Sequence, residues 1–340
     1  MEKFKVIDAN SALWKIEIER IGNYDFYHTS FYHTIDNNDE SKLLIFEKDE
    51  NLLAFPIVIR RIFNSPYFDI TSVYGYAGPI FNIKEECLVD FTTFFKNTFK
   101  QYCINNKIVS VFSRFHPLLN QTFLFDGMGE ILELNKTVSI DLTLNIDQQR
   151  REYRKSLKSD INQLKRKGYN IISSKESVHV DKFIDIYHET MDRVDASPRY
   201  YFSKEYFYAF LNNSDFESIL LLAEKESQIT AGAIFTITND IMQYHLAGTL
   251  SEFMQDTPMK LILEEARLIG NVRELKNFHL GGGVGGSDDD SLFRFKSGFS
   301  KNFNQFSVWK YIVNPKVYDQ LVVESGQQKN NSGFFPLYRV

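Results

Sequence analysis

The sequence contains few cysteines, and the two that it has are poorly placed for a disulfide bond. Cys87 and Cys103 are the two cysteines among 340 residues, and both fall in one predicted helix over about residues 84–105. The sixteen helical residues that separate them span about 24 Å, which is beyond disulfide reach. The sequence therefore lacks a disulfide framework, and we expect a cytoplasmic protein.

Long apolar runs, a secretory signal and an excess of positive charge are also missing. The longest apolar runs fall far short of the roughly 18 residues that cross a bilayer, so we predict no transmembrane segment, while peripheral membrane contact is compatible with the sequence. Residues 1–5 lead into no apolar stretch with a small-residue cleavage site. The net charge of −5 argues against a surface built for nucleic acid, and DNA is not an expected partner.

A repeated pattern divides the chain into two halves. Residues 44–50 resemble residues 221–227 at an offset of 177, and residues 74–80 resemble residues 244–250 at an offset of 170. A repeat scaffold needs three or more shorter units, so two long copies indicate two similar domains. Small-molecule sites often lie at domain junctions, and we therefore expect a cleft between the domains and two substrates.

The repeat and the length of the chain predict three segments. The first domain is expected over residues 1–145 and the second over residues 146–312, since each is long enough to bury its own core. The C-terminal extension, residues 313–340, is polar at 325–332, where we expect mobility. Its apolar residues 334–338 are expected to dock on the first domain.

Each half shows the same order of predicted elements. A helical region is followed by a hairpin, a strand that ends in a glycine turn, a long helix and another strand. This order resembles the GNAT acyltransferase fold. The predicted hairpins lie at 42–61 and 218–238, the following strands at 67–76 and 241–247, the helices at 84–105 and after Pro258, and the closing strands at 108–112 and 276–280.

A basic segment opens the second half. Residues 150–167 contain eight basic and two acidic residues, and apolar residues recur at helical spacing through them. The pattern predicts one amphipathic helix over 147–168 with a basic solvent face. That face is either simply solvated or a phosphate-binding surface, for which Arg154 and Lys158 are the candidates.

A glycine-rich segment near the end of the second half is the least generic part of the chain. Gly281, Gly283 and Gly286 satisfy a dinucleotide-binding spacing, but the acidic residues 288–290 would repel a pyrophosphate and the motif comes late in the chain. We predict instead a strand that runs into a turn, followed by a short helix that is capped at 288–291 and ends at Gly298. Lys296 projects from the last turn, either as a surface lysine or as a functional residue.

The same motifs resemble the FemABX-type peptidyltransferases and their short GNAT relatives in bacterial cell-envelope biosynthesis. The resemblance spans roughly residues 20–312. It implies an α+β fold of tandem GNAT-like domains with mixed sheets, and transfer of an amino acid from aminoacyl-tRNA to an amine on a nucleotide- or lipid-linked muropeptide. The matching segments are 279–283 and 292–299, with support from 24–28, 74–79, 141–143, 154–161 and 187–193.

Two departures from known patterns limit the choice of donor and acceptor. The larger peptidoglycan members insert a long helical hairpin in the second domain, and no segment between Gly168 and Ser218 has that length. Ordinary GNAT enzymes hold the coenzyme A pyrophosphate on a Q/R-x-x-G-x-G/A loop, and neither 78–86 nor 248–259 contains it. We expect no tightly bound cofactor, and aminoacyl-tRNA is favoured over acyl-CoA as donor.

The resemblance also implies roles for particular residues. Lys296 is similar in position to the cation that meets negative charge developing on the ester. Arg193 and Arg199 would bind the acceptor diphosphate, unless they form surface ion pairs. Neither a Ser-His-Asp order nor a metal-ligand cluster stands out in the sequence. The other substrate-binding candidates lie near the strand exits of the two domains and are Tyr74, Tyr76, Arg114, His116, Tyr244, His245, Gly281, Gly282 and Gly283.

The sequence therefore favours an acyltransferase that forms an amide on an amino group of an envelope precursor, either a muropeptide or a nucleotide-linked amino sugar. Two alternatives stay open at this point. One is a coenzyme A-dependent N-acetyltransferase of an amino sugar, and the other is a non-catalytic module that binds a nucleotide-sugar. The expected partners are a nucleotide-linked or lipid-linked precursor and tRNA.

Overall fold

The computed structural model describes residues 1–35, 40–119, 121–283, 290–327 and 334–340. The chain forms two compact units, one from residues 1–134 and 305–340 and the other from residues 135–304. The predicted boundaries were 145/146 and 312/313. The observed boundaries differ because each lies inside a long strand rather than in a linker.

The strands of the described residues alternate with helices in both units. The strands are β1 (Glu2–Asp8), β2 (Glu40–Lys48), β3 (Asn51–Arg61), β4 (Phe68–Thr71), β5 (Ile80–Asn82), β6 (Ile108–Arg114), β7 (Glu130–Asp141), β8 (Asn170–Ser173), β9 (Glu217–Lys225), β10 (Gln228–Thr238), β11 (Ile241–Thr249), β12 (Asn277–Gly281) and β13 (Asn302–Ile312). The α-helices are α1 (Leu13–Ile21), α2 (Ser30–Thr34), α3 (Leu88–Asn105), α4 (Ile146–Arg151), α5 (Leu157–Arg166), α6 (Ser177–Arg193), α7 (Lys204–Leu211), α8 (Met259–Val272), α9 (Ser291–Lys296) and α10 (Pro315–Glu324).

The first unit is a mixed sheet with helices on its faces. The strand order is β1-β2-β3-β4-β6 followed by the C-terminal part of β13, and β5 pairs with β3. The pairing of β4 with β6 is parallel, and the other pairings are antiparallel. Helix α3 buries Phe91, Phe95 and Phe99, which recur every four residues and so lie on one face.

The second unit repeats this topology. Its strand order is β8-β9-β10-β11-β12 followed by the C-terminal part of β7, and β11 pairs with β12 in parallel. Helices α5 and α8 contribute to one buried cluster against the sheet. Helices α6 and α7 contact β11, β10 and β9. In both units a hairpin is followed by a strand, a long helix and a parallel strand, which is the predicted order.

The two hairpins match residue for residue in their bounds. Strands β2 and β9 have nine residues each, strands β3 and β10 have eleven each, and every bound differs by 177. The turns also correspond, because Asp49 and Glu226 both adopt a positive φ. The predicted hairpins at 42–61 and 218–238 are confirmed, and the offset of the repeat is the offset of the structure.

The last strand of each sheet comes from a distant part of the chain. In the first unit, β6 pairs with residues 308–312 of β13 rather than with the strand that follows it in sequence. In the second unit, β12 pairs with residues 138–141 of β7. The sequence analysis predicted neither pairing, because a local pattern carries no information on which distant strand completes a sheet.

The C-terminal residues pack on the first unit. Helix α10 forms a buried cluster with Val109 of β6. The Tyr338 hydroxyl lies 2.7 Å from Ser110 Oγ, and Asp69 accepts hydrogen bonds from Tyr338 and Arg339. Residues 328–333, which include most of the stretch expected to be mobile, lie outside the described residues.

Three predicted elements differ from the observed ones. The first unit begins with strand β1, not with a helix. The strand predicted over 67–76 ends at Thr71, since the Ser72 hydroxyl accepts from the backbone N–H of Arg114 at 3.3 Å. The helix predicted over 147–168 is two helices, α4 and α5. It breaks where the backbone N–H of Arg154 donates to Gly298 O at 2.8 Å instead of to its own helix.

Candidate active site around Lys296

The parallel strands β11 and β12 of the second unit separate part of the way along their length. Their parallel pairing runs from Ile241 to Gln243 and stops there. Strand β11 stays paired with β10 as far as Thr249, whereas β12 ends by pairing Gly281 with Val138 of β7. The residues that follow Gln243 on β11 are therefore released from β12, at the exit where the sequence analysis expected the second sheet to open.

A short helix lies beside this exit. Helix α9 begins after Asp290, whose carboxylate accepts from the backbone N–H of Phe293 at 2.7 Å. Asp is a favoured residue at this position because it satisfies an amide that the helix itself cannot. The helix ends at Lys296, two residues before Gly298, and the predicted capped helix is confirmed.

Lys296 is buried, with 7% of its surface exposed. Its Nζ donates a hydrogen bond of 2.8 Å to Gly282 O and lies 5.5 Å from the centre of the Tyr244 ring. Burial lowers the pKa of Lys296 to about 7, and the negative charge of Asp290 opposes that shift. The interpretation of Lys296 as a surface lysine is therefore wrong. Near neutral pH the amine exists in both protonation states, so it can accept as well as donate a proton.

The glycines before the short helix allow this arrangement. Gly281 adopts φ +77°, a conformation that glycine tolerates best. A Cβ on Gly283 would overlap the carboxylate of Asp290, and Gly282 supplies the carbonyl that Lys296 contacts. The three glycines thus position backbone groups around Lys296, and their predicted contact with substrate stays a prediction.

A buried polar chain lies at the last paired position of the two strands. His279 contacts Gln243 Oε1 through Nδ1 at 2.7 Å and Thr137 Oγ1 through Nε2 at 2.8 Å. All three side chains are buried. The sequence analysis used His279 in a motif without assigning it a role. Its partners lie 36 and 142 residues away in sequence, so spacing alone carried no signal for this contact.

Tyr244 and His245 contact different parts of the unit, although the pairing of β11 with β10 shifts its register at His245. Tyr244 packs near Phe235, at 5.7 Å between ring centres, and faces Lys296. Its burial raises its pKa. His245 stacks on Phe210 of α7 at 4.8 Å. The structure brings Tyr244 to Lys296 and separates His245 from it.

The two arginine candidates for diphosphate binding lie elsewhere in the second unit. Arg193 Nη1 donates to Thr249 O and to Ser251 Oγ, at 3.0 Å in each case, and so joins the end of α6 to the end of β11. Arg199 is exposed and lies over the ring of its neighbour Tyr200. Their role in substrate binding stays a prediction.

The turn after β11 is filled by protein groups. The backbone N–H of Ser251 donates to Glu189 Oε1 at 2.7 Å, which lowers the pKa of Glu189. The N–H groups of Phe253 and Met254 are bonded to carbonyls within the turn. GNAT enzymes use backbone amides at this place to bind pyrophosphate. Here a carboxylate takes one of them and places negative charge beside it.

Arg154 and Lys158, the two candidates for phosphate binding, both belong to the basic face of residues 150–167. Arg154 is exposed, but its guanidinium donates to Arg294 O at 2.6 Å and its backbone to Gly298 O, so it binds the C-terminal end of the helix that carries Lys296. Lys158 is exposed on α5. The other exposed basic residues of this basic face are Arg151, Lys155, Lys165, Arg166 and Lys167.

The candidates in the first unit form a packed polar and aromatic cluster. The Tyr76 ring lies between 5.2 and 5.9 Å from the rings of Tyr27, His116 and Phe306. Tyr74 is exposed, with 55% of its surface accessible. Arg114 Nη1 donates to Ser72 Oγ at 3.3 Å.

His116 is buried against Asp25, which the sequence analysis included in the matching segment 24–28 without assigning it a role. Its Nε2 lies 2.9 Å from Asp25 Oδ2, and its Nδ1 accepts from the backbone N–H of Leu118 at 3.2 Å. Nearby, burial lowers the pKa of His28 to about 4 and that of His33 to about 3. Both ring nitrogens of His116 contact protein groups, and its predicted role in substrate binding stays a prediction.

No helix in the described part of the chain is both long and apolar enough to span a membrane. The same described residues contain no group of three or more His, Cys, Asp or Glu side chains arranged to hold a metal ion.

No protein-family model matches the sequence, and no curated protein matches it either. Solved structures do match its fold. The crystal structure of FemX gives a TM-score of 0.71 at 10% identity, covering 94% of this chain and 99% of that chain. L-PGS from Bacillus licheniformis gives 0.60 at 13% identity and covers 94% and 97%. The C-terminal domain of a putative lysylphosphatidylglycerol synthetase from Agrobacterium fabrum gives 0.59 at 12% identity and covers 92% and 95%. The chain therefore has the predicted FemABX-like α+β fold, with two GNAT-like units.

Proposed function

We propose that the protein is an acyltransferase that moves an aminoacyl group from aminoacyl-tRNA to an amino group of a bacterial envelope precursor, either a muropeptide or a nucleotide-linked amino sugar. The observation that carries the proposal is the buried Lys296 beside the exit of β11 and β12. A buried amine with a lowered pKa at such a place has a chemical use, since burying it costs stability.

The chemistry follows from the two protonation states of Lys296. The acceptor amine attacks the ester carbonyl, a C–N bond forms, and the C–O bond to the ribose breaks. Neutral Lys296 accepts the proton that the attacking nitrogen loses, and the resulting ammonium returns a proton to the leaving oxygen. The balance needs no external oxidant or reductant. The buried setting strengthens the interaction of the ammonium with negative charge on the carbonyl oxygen.

The choice of donor rests on two surfaces of the second unit. The turn after β11 places the Glu189 carboxylate on a backbone amide that a coenzyme A pyrophosphate would need. The basic face on α4, α5 and the residues that flank them carries exposed lysines and arginines that suit a polyphosphate chain such as tRNA. Both features favour aminoacyl-tRNA over acyl-CoA.

The names of the structural neighbours support the same class of donor. Lysylphosphatidylglycerol synthetase is named for a product in which a lipid carries an amino acid. At 12% identity this likeness concerns the fold, so the acceptor of the present chain is a separate question.

The test is a direct assay of amide formation. The purified protein is incubated with total tRNA charged with labelled amino acids, together with a UDP-linked muropeptide or a UDP-linked amino sugar, and products are identified by mass spectrometry. Parallel reactions contain acetyl-CoA. We expect an aminoacylated acceptor from the tRNA reactions, its loss in Lys296→Met, and its retention in Lys276→Met, which removes an exposed lysine of the same unit. Acetylation from acetyl-CoA without aminoacyl transfer, or no product with either donor, would overturn the proposal.

A further inference from the structure

Asp290 and Lys296 lie at opposite ends of the short helix α9. Its carboxylate caps the first turn of α9 by accepting from Phe293 N at 2.7 Å. It also lies against Gly283, where a Cβ would overlap it. Lys296 bonds to the carbonyl of the adjacent residue, Gly282. The acid and the amine therefore contact consecutive residues of one glycine turn.

We propose that Asp290 is the positioning residue for Lys296: its carboxylate caps the helix that carries the amine and lies against Gly283, next to the carbonyl that the amine binds, where its negative charge stabilises the ammonium form. The inference rests on the proposed function, because it specifies how the acid–base residue of that site is tuned. Asp290 itself touches no reacting atom in this account.

The surroundings of Lys296 single out Asp290 electrostatically. Among the described residues, the other charged or titratable side chains nearby in the sequence of these elements are Tyr244 and His245 on β11, His279 on β12, Lys136 and Asp141 on β7, Arg294 on α9, and Arg154 at the end of α9. Desolvation is the larger influence on the pKa of Lys296, and Asp290 is the charge that acts against it. Tyr244 presents its ring to the amine, and burial raises the pKa of its hydroxyl, so it stays neutral. His279 is held between Gln243 and Thr137.

The balance between the two influences has a functional consequence. Desolvation favours the neutral amine that accepts a proton, and Asp290 favours the ammonium that returns one. With the pKa of Lys296 near 7, both forms are populated at neutral pH. Without the acid the pKa of Lys296 would fall further and the amine would be a weaker base, so the step in which it accepts the proton of the attacking nitrogen would slow first.

Asp290→Asn separates charge from structure. Asparagine has nearly the shape of aspartate and caps helices equally well, so the variant should keep α9 and the contact with Gly283. Asp240→Asn removes a carboxylate that pairs with Lys276 on the surface of the same unit, and it serves as the matched control. Asp290→Ala removes both the charge and the cap.

The measurement is the titration of Lys296 itself, followed by NMR of protein labelled at lysine ¹³Cε. The Lys296 resonance is identified by its loss in Lys296→Met. In Asp290→Asn we expect the midpoint of titration to move to lower pH by about one pH unit, the lower end of what a neighbouring opposite charge produces. The control should titrate as the wild type does.

An unchanged midpoint in Asp290→Asn, with the helix intact by circular dichroism, would overturn the proposal. A midpoint that moves in Asp290→Ala but not in Asp290→Asn would contradict the electrostatic part of the proposal. Capping of α9 would then be the only role left for Asp290. Because the titration requires no substrate, its result is independent of whether aminoacyl transfer is the activity. If transfer is found, the pH–rate profile of Asp290→Asn should move in the same direction as the titration.

Discussion

The two units share a scaffold and differ in what fills the exit of their central parallel strands. Strands β4 and β6 in the first unit correspond to β11 and β12 in the second. The exit in the first unit is filled by Tyr76 and His116 and the rings around them, with His116 held by Asp25. The exit in the second unit receives Lys296. The comparison teaches that two copies of one fold can fill the same position differently, one with packed rings and a buried His–Asp contact and the other with a buried amine.

The largest expected effect is on stability, from His116→Ala in the first unit. Removal of His116 breaks its contact with the buried Asp25 Oδ2, and breaking a buried pair typically costs about 3–5 kcal/mol. Denaturant unfolding measures the loss. His179→Ala removes a half-buried histidine from the second unit and should cost far less. A stable but inactive His116→Ala variant would contradict the comparison, because it would place chemistry in the first unit.

The next effect is on turnover, from Lys296→Met in the second unit. This change keeps the length of the side chain and removes the amine, so kcat for aminoacyl transfer should fall by about 10²–10³, or about 2.7–4 kcal/mol. KM should change less, since the amine acts mainly in the transition state. Steady-state kinetics with both substrates measure the split. Near-normal kcat would return Lys296 to a packing role.

The same variant should change how stability depends on pH. Lys296 has its pKa lowered from 10.5 to about 7 in the folded state, so between these values the unfolded chain binds more protons. Raising the pH through this window therefore stabilises wild type relative to Lys296→Met, by up to about 1.4 kcal/mol per pH unit. Below pH 7 both states are protonated and the difference is constant. Unfolding at pH 6.5, 7.5 and 8.5 checks this, and parallel curves for the two proteins would contradict it.

A smaller effect on the free energy of unfolding is expected at Gly78 and Gly248, two glycines that the sequence repeat aligns. A Cβ on Gly248 would lie 2.8 Å from Ile186 O in the backbone of α6, and one on Gly78 would lie 2.5 Å from Gln121 Oε1 and 3.1 Å from Phe115 Cα. We expect Gly248→Ala to cost about 1–3 kcal/mol of unfolding free energy, because overpacking against backbone is relieved only by a shift of α6. Gly78→Ala should cost a similar amount. A large difference between them would show that the two exits are packed to different tolerances.

The smallest expected effect concerns the basic face. Lys158→Glu on α5 should weaken binding of total tRNA most at low salt and reduce the slope of log K against log salt by about one. Lys316→Glu, an exposed lysine of α10 in the first unit, is the matched control. Filter binding across salt concentrations measures both. Equal behaviour of the two variants would leave the basic face as solvated surface.

The chain's sequence by itself determined the repeated scaffold. The hairpins follow from alternating apolar residues and their turns, and the offset of 177 appears unchanged in the strand bounds. The capped helix before Gly298 was predictable because an Asp at the first turn and a glycine at the end are local signals. The family resemblance identified Lys296 as a candidate site residue from the sequence alone.

Only the tertiary structure decided how those elements pair and which side chains they bury. The completion of each sheet by a distant strand depends on contacts far apart in sequence. The pairing of His116 with Asp25 spans 91 residues, and the pairing of Arg154 with the carbonyl of Arg294 spans 140. Lys296 is contacted by Tyr244 of β11 and by Gly282, which directly follows β12, and both contacts come from parts of the chain outside α9. A local pattern reports the shape of a segment, whereas desolvation and charge at a side chain come from all the segments around it, so the chemistry of Lys296 was decided by packing.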